Sequence, residues 1–285
     1  MNPAGALIAP SLWDCDAERV QNYLGMAHGL PLGELILPVP CERVDQLLRD
    51  IPVPLRPRIR ILSLRRQLRG RGIAVNLALA VASTEKVAVI DDDIVLSKIT
   101  MQALWHSCTA RTFATLRRVR AGSGRHLVSD SEIASVSHVI RFKPRGSAAV
   151  SVETSRFDLQ RRGNSAPGAV CATRRALRAI GGMNAALNSP AWEMVDLLVR
   201  LQVGAGLRRI QTGVARLADS AAQPSLSAQQ HSAAAYALAS EVSIAAYWQG
   251  RFTGTFTKDL RRASPQVISW TPRRGWACET GVTSK

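Results

Sequence analysis

Residues 86–97, KVAVIDDDIVLS, are the strongest indication of the fold in this sequence. Its apolar residues predict a buried strand over 86–90, which three carboxylates follow directly: Asp91, Asp92 and Asp93. Ligands of open α/β sheets bind beyond the carboxyl ends of the strands, and adjacent carboxylates there repel each other unless a cation neutralises them. Oxygen ligands without a nearby Cys or His favour Mg²⁺ or Mn²⁺ over zinc. The alternative is a solvated acidic turn or a helix start, where the helix dipole favours acids.

The sequence on both sides alternates between strand and helix patterns, which predicts an α/β fold with a mostly parallel central sheet flanked by helices. Further strands are predicted at 6–10, 33–39 and 59–64. Helices are predicted up to residue 28 and at 42–49, 71–83, 99–110, 173–180, 192–203 and about 228–248. The region 111–157 is irregular, with strand-like pieces at 137–143 and 148–153.

Composition describes a globular protein with an excess of positive charge. The 285 residues are 46% hydrophobic and carry a formal net charge of +16, a length that suggests one large domain or two small ones. Arginine provides 32 of the 37 basic residues, which codon bias explains as readily as a polyanionic partner. No apolar run approaches the roughly 18 residues of a membrane-spanning helix, and the five cysteines form no CxxC pair. We expect a reduced, cytoplasmic protein without a transmembrane segment.

Three blocks of the chain, in this order, resemble glycosyltransferases of the GT-A fold, most closely the large inverting family two. Residues 69–97, RGRGIAVNLALAVASTEKVAVIDDDIVLS, resemble the family stretch that leads into the DxD motif. Residues 166–184, APGAVCATRRALRAIGGMN, resemble the acceptor-side strand and the Gly-Gly element. Residues 191–206, AWEMVDLLVRLQVGAG, resemble the helix that carries the family's ED pair.

The resemblance implies a GT-A (nucleotide-diphospho-sugar transferase) fold with three segments. Residues 1–110 would form the nucleotide-sugar-binding half, which ends in the DxD motif. Residues 111–220 would form the acceptor-side half of the same domain, and 221–285 a C-terminal helical extension and tail.

The donor side of the site follows from the same resemblance. It implies that Asp91 faces the ribose or diphosphate and shares the metal with Asp93, the main metal ligand, while Asp92 is the variable middle position. Pro10 and Ser11, at the end of the first strand, match the start of the nucleotide pocket.

Arg71 and Asn76 match positions that contact the nucleotide or brace the DxD loop. Both also have a structural alternative. Arg71 is equally explained as a solvated arginine at a helix start, and Asn76 as a buried hydrogen bond to backbone. The acid that usually reads the base at the end of the second strand is missing, and Glu42 or Asp45 is the candidate substitute.

On the acceptor side, the ED pair reads Glu193-Met194, so the usual general base is replaced by methionine. Glu193 is the remaining catalytic candidate, with a helix-start acid as the alternative. Asp196 and Trp192 are acceptor-side candidates. The alternatives are an ion pair between Asp196 and Arg200, four residues on and worth tenths of a kcal/mol, and core packing of Trp192.

The function implied by the resemblance is a metal-dependent glycosyltransferase that uses Mg²⁺ or Mn²⁺. It would move a sugar from an NDP-sugar, UDP-linked in our expectation, to a hydroxyl or amine of a small-molecule or natural-product acceptor, with inversion. A retaining course stays open because Met194 replaces the usual acid. The alternatives are a nucleotidyltransferase-like enzyme, a basic nucleic-acid-binding protein and a non-catalytic GT-A-like protein. No nucleic-acid partner is expected, because the arginine clusters at 65–71 and 111–125 form neither an aromatic-interleaved platform nor a known binding module.

Overall fold

The computed structural model describes most of the chain, and the elements below lie within that part. It describes residues 5–9, 17–65, 68, 70–91, 94–120, 136–142, 150–157, 169–187, 190–217, 246, 254–263 and 265–279. The strands are β1 (Ala6–Ile8), β2 (Glu34–Pro40), β3 (Ile59–Leu64), β4 (Lys86–Ile90), β5 (Ile94–Val95), β6 (Thr112–Arg120), β7 (Val136–Phe142), β8 (Val150–Phe157), β9 (Ala169–Thr173), β10 (Arg208–Leu217), β11 (Gln266–Thr271) and β12 (Gly275–Cys278). The helices are α1 (Ala17–Gly29), α2 (Val44–Asp50), α3 (Arg71–Val81), α4 (Lys98–Ser107), α5 (Arg174–Ala179), α6 (Pro190–Val199) and α7 (Phe256–Arg262).

Ten of the described strands form one sheet, in the order β12-β11-β3-β2-β1-β4-β9-β6-β10-β5. The run β3-β2-β1-β4 is parallel throughout, and β6 and β10 are parallel to each other, whereas β9 is antiparallel to both of its neighbours. β7 and β8 pair separately as an antiparallel hairpin. The predicted fold class, a mostly parallel sheet flanked by helices, is confirmed.

Each face of the sheet packs against its own layer of helices, because alternate strand residues point to opposite faces. In β1, Leu7 faces the core that contains α1, α2 and α4, while Ala6 and Ile8 face the core that contains α3, α6 and α7. In β4, Val87 and Val89 join the second core. The helix–strand connections put the first turn of α3 at the edge where β4 ends.

The chain after residue 253 completes this sheet. β11 pairs antiparallel with β3, and β12 pairs with β11, so these two strands extend the sheet beyond β3. In the described part of 221–285, one helix and two strands are therefore present where the sequence predicted a helical extension. The helix predicted at about 228–248 lies almost wholly outside the described residues.

No helix of the described part is long and apolar enough to cross a membrane. The four cysteines described there, Cys41, Cys108, Cys171 and Cys278, are free thiols.

Candidate active site

The edge where β4 ends brings together three charged side chains from distant parts of the chain. Asp91 directly follows β4, Arg71 opens α3, and Glu193 lies in the first turn of α6. Arg71 donates from Nη2 to Asp91 Oδ1, and both side chains are about nine-tenths buried. Arg71 is thus a paired, buried arginine and not a solvated one.

The N-terminus of α3 supplies the geometry of this cluster. The helix is preceded by Gly70, whose φ of 139° is a conformation that favours glycine, and no side chain caps the helix. The backbone N–H of Gly72, which an α-helix leaves without an intrahelical acceptor, donates instead to the Glu193 carboxyl group. Gly72 also needs its lack of a side chain, since a Cβ there would lie 2.8 Å from Ala185 Cα.

Glu193 is the group whose proton affinity changes most in this cluster. It is 4% exposed, and burial raises its pKa from 4.5 to about 7, with Asp91 adding to the rise. The charge of Arg71 and the Gly72 N–H lower the pKa and limit the shift. Among the described residues, Glu193 Oε2 is buried and has no hydrogen-bond partner. A carboxyl group near neutrality with one uncommitted oxygen can accept or release a proton at physiological pH.

Arg71 links the two carboxyl groups. Burial lowers the pKa of Arg71, but Asp91 outweighs that effect, with smaller contributions from Glu193 and Tyr23, so the pKa is raised overall. One of these contributors, Tyr23, belongs to α1 in the opposite helix layer, and sequence reasoning missed it. Nothing in its sequence context, NYLG, distinguishes it from a core tyrosine.

Asn76, a predicted donor contact, lies in the core with its amide fully engaged. It is 0% exposed, and its Nδ2 donates to Met183 O (3.0 Å) and Asp259 Oδ2 (2.7 Å). Its Oδ1 accepts from the Met183 N–H at 2.7 Å. The buried hydrogen bond to backbone, the alternative role for Asn76, is therefore the one observed.

Asp196, a predicted acceptor-side residue, forms the alternative ion pair. Arg200 donates to Asp196 Oδ2 from Nε (2.9 Å) and Nη2 (2.6 Å), and the two side chains are 1% and 0% exposed. The sequence predicted a pair worth tenths of a kcal/mol, as for an exposed helix pair. Because this pair is buried, removing one partner costs several kcal/mol. Arg200 Nη1 also donates to Ile180 O and Gly182 O, so the pair holds the loop between α5 and α6.

The other predicted site residues are only partly placed. Pro10, Ser11, Asp92 and Asp93 lie outside the described residues, and so does the side chain of Trp192, whose backbone is in the first turn of α6. Within the described residues, no group of three or more His, Cys, Asp or Glu side chains could hold a metal ion.

A cavity of about 500 Å³ opens at the same edge of the sheet, where β2 and β3 end. Two arginines, Arg65 and Arg262, give its lining positive charge. Its other polar walls come from Cys41, Ser63 and Gln266. Glu42, a candidate for reading the base, is exposed in the short turn after β2 and accepts a hydrogen bond from the Cys41 thiol.

Comparison with known proteins finds similarity at the level of the fold. No family model matches the chain, and no curated protein matches it. Among solved structures, the mannosyltransferase PcManGT from Pyrobaculum calidifontis, in complex with GDP-Man and Mn²⁺, is similar over 92% of this chain and 75% of its own, at 13% identity and a TM-score of 0.51. This similarity shows a fold like that of the GT-A nucleotide-sugar transferases.

Two further solved structures are similar to a lesser degree, with TM-scores below 0.5. The inositol-1-phosphate CTP transferase from T. maritima matches over 85% of this chain and 97% of its own, at 11% identity and a TM-score of 0.44. The catalytic domain of Drosophila β1,4-galactosyltransferase 7 matches over 63% and 65%, at 16% identity and a TM-score of 0.35.

Proposed function

We propose that this chain is a metal-dependent glycosyltransferase that moves a sugar from a nucleoside-diphosphate sugar to a hydroxyl or amine acceptor. The observation that carries the proposal is the cluster of Asp91, Arg71 and Glu193 at the carboxyl edge of a GT-A-like sheet. It combines a carboxylate directly after β4, paired with Arg71, with a second, buried carboxyl group whose pKa is raised to about 7. In open α/β sheets, nucleotides bind beyond this carboxyl edge.

The proposed metal ligands are Asp93 and Asp91, and the ion is Mg²⁺ or Mn²⁺. Asp91, the one of the two whose position the structure describes, offers carboxylate oxygens, which are the ligands that hard cations prefer. When bound, the ion neutralises negative charge on the departing nucleoside diphosphate. Arg71 holds Asp91 in place at this position and provides a second positive charge beside it.

Glu193 is proposed as the general base. Burial keeps its carboxyl group half protonated near pH 7, and its ionised form can take a proton from the acceptor hydroxyl or amine. Oε2, which has no partner among the described residues, is the oxygen free to do this, while the Gly72 N–H holds the carboxyl group. Direct displacement with Glu193 as base would invert the anomeric carbon.

The nucleotide is proposed to lie along the carboxyl edge, between the cavity and Asp91. The strand order β3-β2-β1-β4 separates the ends of β2 and β4 by two strand spacings, or roughly 10 Å. A nucleoside diphosphate can bridge such a distance. Arg65 and Arg262 in the cavity would attract its negative charge. Pro10, Ser11 and Asp92 remain proposed donor contacts on this path, and Trp192 a proposed acceptor contact.

Asn76 and Asp196 are proposed to act through their buried hydrogen bonds and not by touching substrate. The four free cysteines suit a reducing compartment, and the cytoplasm is our proposal. A small-molecule or natural-product acceptor is likewise proposed.

Turnover of sugar nucleotides with Mn²⁺ or Mg²⁺ tests the proposal. The panel should contain UDP- and GDP-sugars, because UDP is our expectation while the mannosyltransferase of similar fold was solved with GDP-Man. Asp93→Ala should abolish metal-dependent turnover, and Glu193→Gln should lower kcat by about 100-fold or more while nucleotide binding stays near normal. Asp50→Ala, which removes an exposed carboxylate at the end of α2, is the matched control and should keep wild-type turnover.

Two results would contradict the proposal. Full metal-dependent activity of Asp93→Ala would remove the metal site, and full activity of Glu193→Gln would remove the base. Release of pyrophosphate from a nucleoside triphosphate, in place of a nucleoside diphosphate from a sugar nucleotide, would identify the alternative nucleotidyl transfer.

A further inference from the structure

We infer that Asp259 in α7 is a positioning residue for the active site: through Asn76 it fixes α3 so that the Gly72 N–H meets Glu193. The inference rests on the proposed function where it concerns turnover. The hydrogen bonds that carry it run from the C-terminal segment to Asn76, in the second turn of α3, and to the loop between α5 and α6.

The first step is the environment of Asp259. Its side chain is 4% exposed, and Oδ2 accepts from Asn76 Nδ2 and from the Thr255 hydroxyl, each at 2.7 Å. A buried carboxylate is costly unless hydrogen bonds compensate it. None of these partners is a cation, so Asp259 is engaged with the neutral amide of Asn76 and the hydroxyl of Thr255.

The second step is the loop between α5 and α6, which the same groups hold. Thr255 N–H donates to Met183 O (2.8 Å), Phe256 N–H to Gly181 O (2.9 Å), and Ala185 N–H to Thr255 Oγ1 (3.0 Å). Asn76 pairs with both backbone groups of Met183. α3, the loop and the start of α7 are thus joined through a single buried network.

The third step is the close approach of backbones that this network requires. A Cβ on Gly254 would lie 1.9 Å from Gly181 O, and a Cβ on Gly182 would lie 2.2 Å from Asn76 Oδ1. The three glycines let the loop reach both Asn76 and the segment that begins α7. From the other side, Arg200 of the π-helical turn after α6 donates to Ile180 O and Gly182 O.

The consequence concerns the distance between α3 and α6. Asn76 lies about one turn after Gly72 on α3, and Arg200 lies about two turns after Glu193, so both ends of the network belong to the helices that carry the site. Loss of the Asp259 carboxylate removes the hydrogen bonds that Asn76 Nδ2 and the Thr255 hydroxyl donate to it. α3 is then free to shift relative to α6. A displacement near 1 Å in an active site can cost about 100-fold in rate.

Amide hydrogen exchange at Gly72, followed by NMR, tests this positioning without any substrate. Asp259→Ala should speed exchange of the Gly72 amide by about tenfold or more, because α3 is no longer held where the Gly72 N–H meets Glu193. Asp259→Asn keeps a side-chain oxygen and should restore most of the protection. Val44→Ala, which removes buried methyl groups from α2 on the opposite face of the sheet, is the control for general destabilisation and should leave Gly72 exchange unchanged.

Unchanged Gly72 exchange in Asp259→Ala would overturn the inference, and so would equal acceleration in Val44→Ala. If Asp259→Ala does not fold, Thr255→Val removes the hydroxyl from the same network and should give the same acceleration; unchanged exchange there would also overturn it. On turnover, we expect Asp259→Ala to lower kcat about 10- to 100-fold with less than about threefold change in KM. A wild-type protein that turns over no sugar nucleotide would contradict the proposed function and leave the exchange result standing.

Discussion

The partners of a buried acid determine its chemistry in this protein, since Glu193 and Asp259 are equally buried, at 4% exposure each. Glu193 and Asp259 are both acids at helix starts by sequence. Glu193 sits beside a charged arginine with one oxygen unengaged, whereas Asp259 accepts hydrogen bonds from an amide and a hydroxyl. Only the first arrangement leaves a carboxyl group ready to exchange a proton with another molecule.

The raised pKa of Glu193 predicts a pH dependence of stability. A carboxyl group whose folded pKa, about 7, exceeds its unfolded value of 4.5 binds protons more tightly when folded. The stabilisation is fully present below the unfolded pKa and is lost as the pH rises to about 7. In Glu193→Gln this loss should disappear, so from pH 4.5 to pH 8 the stability of the variant should gain up to about 3 kcal/mol on wild type.

Urea unfolding across this pH range, in buffer with a chelator, measures the difference directly. The chelator removes divalent cations, which under the proposed function bind beside Glu193 and would change its pKa. Parallel stability profiles for wild type and Glu193→Gln would show that the Glu193 pKa is not raised.

The ion pair between Asp196 and Arg200 predicts a large mutational effect at a position where sequence suggested a small one. Asp196→Ala leaves the buried Arg200 guanidinium without its carboxylate, so the free energy of unfolding should fall by about 3–5 kcal/mol. Asp45→Ala, at an exposed carboxylate of α2, should change it by less than about 0.5 kcal/mol. Denaturant titration of both variants checks this, and similar small losses in the two would contradict it.

Among the helices and strands, the sequence predicted those whose own residues carry a clear hydrophobic pattern. The four strands β1 to β4 and the helix α3 follow from apolar runs that end in turn residues, and α3 occupies Arg71–Val81 where 71–83 was predicted. β6 and β10 were not predicted, although they pair with each other in the sheet. Their sequences, TFATLRRVR and RRIQTGVARL, place arginines along the strand, and only the distant partner strand accounts for their conformation.

The residues of the candidate site also divide into those that a local motif predicted and those that no local motif marks. The DxD motif, the first turn of α3 and the ED-like helix were predicted from motif order, and the structure brings Asp91, Arg71 and Glu193 together. Tyr23, Thr255 and Asp259 could not be predicted. They reach the site and its supporting network from 48 to 183 positions away in the chain, and none carries a local motif.

Two glycines with similar backbone angles should differ in how well they tolerate substitution by alanine, because only one of them is in close contact with another side chain. Gly182 and Gly206 have φ of 66° and 64°, so an alanine at either pays about 1–2 kcal/mol for the left-handed conformation. Only at Gly182 would the new Cβ also collide with Asn76, at a further cost of about 1–3 kcal/mol. Gly182→Ala should therefore be the more destabilising in thermal or urea unfolding, and equal losses would exclude a tight contact with Asn76.

At the scale of the whole molecule, the segment 254–279 contributes to both the sheet and the site. β11 covers the edge of β3, and Val267 is fully buried against the core that contains α3 and α6. Thr255 and Asp259 hold the loop between α5 and α6. The chain therefore depends on its last described strands for the packing of a helix layer whose other members come from residues 71–204.

Two truncated chains test whether the segment 254–279 is needed for the packing of the sheet and its helix layer. A chain that ends at residue 279 keeps α7, β11 and β12 and should unfold cooperatively with a midpoint close to that of the full chain. A chain that ends at residue 253 exposes the edge of β3 and the apolar surface that Leu260, Ala263 and Val267 cover. Because an open, apolar strand edge pairs with other chains, we expect this variant to aggregate or to lose its cooperative transition. Gel filtration and thermal unfolding measure both properties, and a monomeric 1–253 chain with a wild-type midpoint would show that 71–204 packs without the C-terminal segment.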